Sequence, residues 1–401
     1  MNRSESMKIS ANRVNLLNAV KTASRALGNM KDIPELRNLL FEADANTGII
    51  TVTGTDIHTQ IQCRLSNEHV LEGGSMLIKP IVAEMLKLLP DETVEMGIGP
   101  LNELEIIGGQ CKYGVPYLDS KHFPRMQIPF PEDFISVKGI NSIIKRTIIA
   151  TDPKVQDANR HSLQFIKLSF AYGQTTAEAT NGQIAALAQT PHGSDGKLEL
   201  ILHEKALSIL ASIVSPNDEL YVGAKGNYAV FMKEDMFFSS QLYQGNYIEG
   251  SKLVNYIKPT YRATIDAKAL YDLAGNVATI FNTGDDTCIN LCITDNTLAM
   301  RTQTAMGASQ AEIPATETIP TGAGGFNYQA KWLLNCLRQT SGPLSLSLDQ
   351  RGFMLIEANQ SKYCIGPRGP VRIVVPQEKK GKKTRAKSTK TKTKTAASAA
   401  A

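Results

Sequence analysis

The feature that most constrains this chain is a stretch that occurs three times at a domain-sized interval. Residues 79–90, KPIVAEMLKLLP, read as a helix with Pro80 in its first turn and apolar positions at Ile81, Met85, Leu88 and Leu89. Pro90 stops it, and an alternating strand follows over 92–97. The pattern returns over 203–213 with a strand at 219–222, and over 327–337 with a strand at 344–348. With Pro80, Glu204 and Tyr328 as equivalent positions, the intervals from 80 to 204 and from 204 to 328 are both 124 residues. A repeat of about 20–50 residues builds a solenoid, whereas one of this length is a domain with its own core. The expectation is an α+β chain of three tandem copies of one fold, each with two helices packed on antiparallel sheets. Their expected spans are 7–130, 131–259 and 260–376, with a short extension at 1–6 and a basic tail at 377–401.

Composition supplies the material for three cores: 42% of the 401 residues are hydrophobic. No apolar run approaches the roughly 20 residues that span a bilayer, and residues 1–6 lack a signal peptide's apolar segment, so a soluble cytoplasmic protein with no membrane partner is expected. The six cysteines (63, 111, 288, 292, 336, 364) form no CxxC pair and read as reduced, mostly buried side chains, with no metal and no cofactor implied. The six histidines occur singly, and no GxSxG, HExxH or phosphate loop appears, so no catalytic constellation is legible and the chain is not expected to be an enzyme.

The formal charge of +5 divides unevenly. Nine basic residues and one acid fall within 377–401, a tail of +8, and the other 34 basic and 37 acidic residues leave a body of −3. A Lys/Thr/Ala/Ser tail of this kind cannot bury apolar surface. Any nucleic-acid contact by the folded part must come from local positive patches. Along the body, a helix is predicted over 12–27 and closed by Gly28, another over 140–150, and a third over 266–278, with 245–259 as an irregular crossing segment.

Several short motifs then fall in a familiar order: Met7-Lys8-Ile9-Ser10 before the first helix, Gly54-Thr55-Asp56 after a strand, Phe123-Pro124 at the first boundary, Thr180-Asn181-Gly182 in the middle copy, and Gly325-Phe326-Asn327 before the last repeated helix. Together with the threefold repeat, over about 7–376, the chain resembles the bacterial sliding clamp, the beta subunit of DNA polymerase III. The resemblance implies three clamp domains forming half of a closed ring, a head-to-tail homodimer that encircles double-stranded DNA. Such a ring tethers the replicative DNA polymerase, meets a clamp loader and other proteins carrying a clamp-binding motif, and performs no chemistry itself. It would act in the bacterial cytoplasm, with the nucleoid.

A ring that slides needs dispersed cations on rigid helices and no base-reading side chains. Under the resemblance, the candidates for DNA contact are Lys21 and Arg25 on the first helix, Lys145 and Arg146 on the first helix of the middle copy, and Lys331 and Arg338 on the last repeated helix, with Lys31, Lys154 and Arg160 on loops. The position-matched dimer interface is Tyr113 and Val115 on an edge strand against Ile280 and Phe281. The position-matched partner-peptide pocket is Leu163, Thr180, Gly182, Gln183, Ile184, Ala185, Ile248, Trp332 and Pro367. Here the sequence departs from the family: Ile184-Ala185 stands where an Arg-Leu pair is common, the chain continues as Gly366-Pro367-Arg368-Gly369, and 303–310 is uncharged where opposite charges usually flank the interface. The alternative is a non-encircling DNA-binding or regulatory protein of the same fold that relies on its basic tail.

Overall fold

The computed structural model describes residues 7–369 apart from 67, 194, 281–286, 295, 305–306 and 320–324. Both the extension at 1–6 and the basic tail lie outside the described residues.

Seven α-helices are placed among the described residues: α1 (Arg13–Ala23), α2 (Val82–Leu88), α3 (Ile140–Thr147), α4 (Glu204–Ile213), α5 (Gly250–Tyr256), α6 (Ala267–Ala278) and α7 (Ala330–Arg338). Helices α1 and α2, α3 and α4, and α6 and α7 pack in pairs, one pair for each copy of the repeat. The local chemistry explains where each starts. Asn12 caps α1, its Oδ1 accepting the N–H groups of Val14 and Asn15, both at 3.0 Å. Asp266 caps α6 in the same way through Ala269 N–H at 2.9 Å. His203 caps α4, its Nδ1 accepting from Lys205 N–H at 3.0 Å.

The repeated helices depart from the sequence expectation in phase and start. In α2 the buried residues are Val82, Ala83 and Leu86, while Ile81 and Leu88 are 49% and 70% exposed. Pro80 lies in the turn before the helix, and the inward face runs through 82, 83 and 86 to the buried Leu89 just past the helix, about one residue off the predicted positions 81, 85 and 88. Tyr328 belongs to the strand Gly325–Gln329, not to α7; it is fully buried and its Oη donates to Gly352 O at 2.7 Å. Helix starts at 82, 204 and 330 therefore keep the domain-scale repeat without a strict period. Other expectations shorten or change. The first helix gives way to a 3-10 turn at Ser24–Ala26, and Gly28 is a close-approach residue, not a left-handed stop: its N–H donates to Leu36 O and Thr55 O, and an added Cβ would sit 3.2 Å from Asp56 Cα. The segment 245–259 holds α5.

Among the described residues the strands form antiparallel sheets, two of them nine-stranded, one five-stranded and one four-stranded. The two large sheets run across the boundaries between copies. Thr59–Leu65 of the first copy pairs with Met236–Gln241 of the second, with Ile61 opposite Phe238. Ile184–Pro191 of the second pairs with Ser361–Ile365 of the third, with Ile184 opposite Ile365 and Ala185 opposite Cys364. Lys205, at the start of α4, also reaches the nearly buried Asp56 of the first copy at 2.7 Å. Among the described residues the small sheets have open edges, among them Cys111–Val115 near the end of the first copy and Gly307–Pro314 in the third.

At Gly54 a Cβ would lie 2.1 Å from Ala23 O, where α1 crosses the strand Ile49–Thr55. Gly54→Ala is therefore expected to destabilise by about 1–3 kcal/mol or more, seen as a lower urea midpoint; an unchanged midpoint would refute the contact. Burial, then His161 and Lys205, hold the His203 imidazole below its ordinary value of 6.5, outweighing Asp56. The folded protein thus binds this proton less readily than the unfolded chain, so the contribution is intact above about pH 6.5 and is lost as pH falls through the folded value. His203→Asn, which keeps a capping acceptor, is expected to flatten that part of a stability–pH curve.

Candidate nucleic-acid and partner interfaces

Four of the nine candidate cations stand in the last turns of α-helices; Arg25, expected on the first helix, lies in the 3-10 turn Ser24–Ala26, Arg160, expected on a loop, lies in the 3-10 segment Ala158–Gln164, Lys331 is in the first turn of α7, and Lys31 and Lys154 are on loops. Lys21 lies in the last turn of α1, Lys145 and Arg146 in that of α3, and Arg338 in that of α7, where a cation offsets the unsatisfied carbonyls and is worth about 0.3–1 kcal/mol. Lys21, Arg25, Lys31, Lys145, Lys154, Arg160, Lys331 and Arg338 are exposed. They differ in what else they touch. Arg146, half-buried, donates from Nη1 to Asn359 O at 2.7 Å and to Ser361 Oγ at 3.4 Å, tying α3 to the third copy. Arg338 donates to Tyr271 Oη at 3.3 Å, bridging α7 and α6. Lys331 Nζ stands 5.2 Å from the Trp332 ring centroid, and Arg160 Nη2 donates to Asn181 O at 3.4 Å.

At the open edge of the five-stranded sheet, Tyr113 and Val115 share one face, and Val115 is only 6% exposed, packed in the core of its own copy. What this edge presents is its backbone, with exposed Cys111, Lys112 and Gly114. Ile280 follows α6 and is half-buried; Phe281 lies outside the described residues.

The position-matched pocket residues divide between two places. Leu163, Thr180, Ile184 and Ala185 are buried, Gly182, Gln183 and Ile248 exposed, and Trp332 and Pro367 half-buried. Thr180 Oγ1 donates to Ile184 O at 2.8 Å, and Asn181 Oδ1 accepts the N–H groups of Gln183 and Ile184 at 2.9 and 3.0 Å, which builds the tight turn around Gly182 at φ +85°. The segment after the strand Ser361–Ile365 is fastened to this turn by Gly366 N–H donating to Gln183 O at 2.9 Å. Ile184 belongs to the main core, and the half-buried Trp332 packs against it. Ala185, one residue on and therefore on the opposite face of the strand, joins a separate apolar cluster with Val254, Ile257, Leu355 and Cys364, against which Phe353 packs. Sequence reasoning missed the last five, because α5 and the pairing across the second boundary bring them together.

Burial pushes the Cys63 and Cys364 thiols up to about 12, far from a nucleophilic thiolate at neutral pH. Among the described residues there is no group of three or more His, Cys, Asp or Glu side chains placed to hold a metal, and no helix long and apolar enough to cross a membrane.

Residues 7–127 match the family model of the DNA polymerase III beta subunit, N-terminal domain. The chain is similar in sequence to the bacterial beta sliding clamps. It is 25% identical over 244 residues to the beta sliding clamp of Halalkalibacterium halodurans, a match covering 57% of this chain and 63% of that protein, which is under two thirds of the relative's length. To the beta sliding clamp of Lactococcus lactis it is 23% identical over 260 residues, covering 62% and 67% of the two chains. The fold agreement extends further than the aligned sequence. The crystal structure of the DNA polymerase sliding clamp from Bacillus subtilis superposes with a TM-score of 0.82 at 17% identity, over 91% of this chain and all of that one. A putative DNA polymerase III beta subunit from Eubacterium rectale gives 0.81 at 18% identity, over 90% and 98%. The α+β architecture of antiparallel sheets and paired helices is thus the sliding-clamp fold.

Arg146→Ala removes charge-assisted hydrogen bonds to the third copy and is expected to lower stability by about 1.5–3 kcal/mol, while Lys145→Ala stays within about 0.5 kcal/mol, both read from denaturant midpoints. Equal midpoints for the two variants would remove the structural distinction between these neighbours.

Proposed function

We propose that the chain is a non-catalytic DNA sliding clamp: two copies associate head to tail into a ring that encircles duplex DNA and tethers a replicative polymerase, a clamp loader and other partners. The observation that carries this reading is the pair of open sheet edges, Cys111–Val115 in the first copy and Gly307–Pro314 in the third, on a chain whose large sheets already run from copy to copy. Pairing those unlike edges between two chains extends the same construction, and such a head-to-tail contact makes a closed ring when its rotation closes. Tyr113, Val115, Ile280 and Phe281 would flank the contact, and the domain limits would lie near 130 and 259.

Duplex DNA would be held by Lys21, Arg25, Lys145 and Lys331, with Arg146 and Arg338 contributing charge from fixed positions, Lys31 and Lys154 reaching from loops, and Arg160 from its 3-10 segment. Cations on packed helices meeting phosphates give affinity without sequence preference. The tail at 377–401 would add salt-sensitive attraction to nucleic acid. Partner peptides would dock at the second junction, beside Ala185, Gln183 and Pro367.

The uncharged stretch 303–310 favours a second reading, a non-encircling DNA-binding protein of the same fold. Light scattering after size exclusion, on the chain with and without 377–401, separates the two. A mass twice that of one chain, persisting on dilution and indifferent to the tail, is expected. A persistent single-chain mass, with DNA affinity lost along with the tail, would overturn the ring.

A further inference from the structure

The small apolar cluster at the second junction carries a cation in an unusual setting. Arg351 lies in the turn between Pro343–Leu348 and Met354–Ala358. Its Nε and Nη2 both donate to Asp349 Oδ2, at 2.9 and 2.6 Å, and its guanidinium carbon stands 4.4 Å from the Tyr256 ring centroid and 5.1 Å from that of Phe353. Asp349 is 3% exposed and sits behind the pair, so the solvent side of the ion pair is the cation. Tyr256 is 63% exposed and Leu253, three residues earlier on the same helix, 38% exposed, which leaves an apolar rim beside the charge.

An arginine normally gives up much rotamer freedom when it binds a ligand; here the carboxylate and two rings have fixed it beforehand. A planar, fixed guanidinium favours a carboxylate, and the exposed Lys252 and Lys258 on either side of this helix end add positive charge, though Lys252 is paired with Glu249 at 2.9 Å. The source of that carboxylate can be narrowed. Capture of a chain terminus uses a nest of backbone N–H groups. In this turn those of Arg351 and Phe353 are taken by Asp349 Oδ1, both at 2.9 Å, and that of Gly352 by Asp349 O at 3.0 Å.

We infer that the Tyr256–Arg351–Phe353 shelf docks an internal segment of a partner protein in which an acidic side chain flanks apolar residues, with Arg351 the residue that selects the acid. The inference rests on the docking role proposed for this junction. The test uses the full chain and two dye-labelled ten-residue peptides, one with two leucines flanked by glutamates and one with the same leucines flanked by glutamines, read by fluorescence anisotropy. The glutamate peptide is expected to bind about tenfold tighter, and Arg351→Met, which keeps an apolar stem over the rings, to abolish that difference while leaving the glutamine peptide within about twofold. Arg351→Lys is expected to retain part of the preference, since it keeps the charge without the fork. Equal binding of the two peptides by the unaltered chain would overturn the selection by Arg351 and leave the docking role standing. Binding of neither peptide would overturn the docking role itself. Loss of both peptides alike in both variants would make Arg351 structural only, and the inference would fall.

Discussion

Backbone pairing across the boundaries between copies is the constraint on which the rest of this molecule depends. A strand at the end of a domain carries a row of N–H and C=O groups that must be satisfied. Here Thr59–Leu65 meets Met236–Gln241, and Ile184–Pro191 meets Ser361–Ile365, so each copy completes the sheet of the next. Ladders of hydrogen bonds fix the angle between copies far more tightly than a polar interface between separate domains would. Polar ties reinforce them: Lys205 with Asp56 at the first boundary and Arg146 with the Asn359 carbonyl at the second.

With the copies locked, the charged residues acquire two kinds of role. Cations at helix C-termini are favourable within the fold, because they face unsatisfied carbonyls, and the same placement leaves a charge on a rigid support. Neighbours in sequence can differ in which role prevails. Lys145 is exposed, whereas Arg146 is engaged with the backbone of the third copy. Since the body of the chain is net negative, an electrostatic interface with nucleic acid depends on where these few side chains lie, not on overall charge.

The second boundary adds a surface that neither copy has alone. Ala185 comes from the middle copy, Leu355 and Cys364 from the third, and Val254 and Ile257 from α5 and its end. Joining sheets brings these residues together in a cluster outside the main core, with Arg351 fixed at its rim by a buried carboxylate. Its chemistry is a property of the junction, which is why single-element patterns in the sequence do not reveal it.

The α+β class, the domain-scale repeat, most strands and the starts of α1, α4 and α6 were legible in the sequence, because alternation, helical spacing and capping residues are local signals. Motif order also carried the relationship to the sliding clamps. The sequence did not determine which side of a marginal element turns inward. Ile81 and Leu88 fit an apolar stripe yet face solvent, Ile184 and Ala185 go to different clusters, and Tyr328 extends a strand where it had fitted a helix. For two of these residues the structure shows distant partners in the chain, Gly352 for Tyr328 and Cys364 for Ala185. Local periodicity specifies that an element forms; its register and facing depend on long-range pairing, which only the tertiary structure decides.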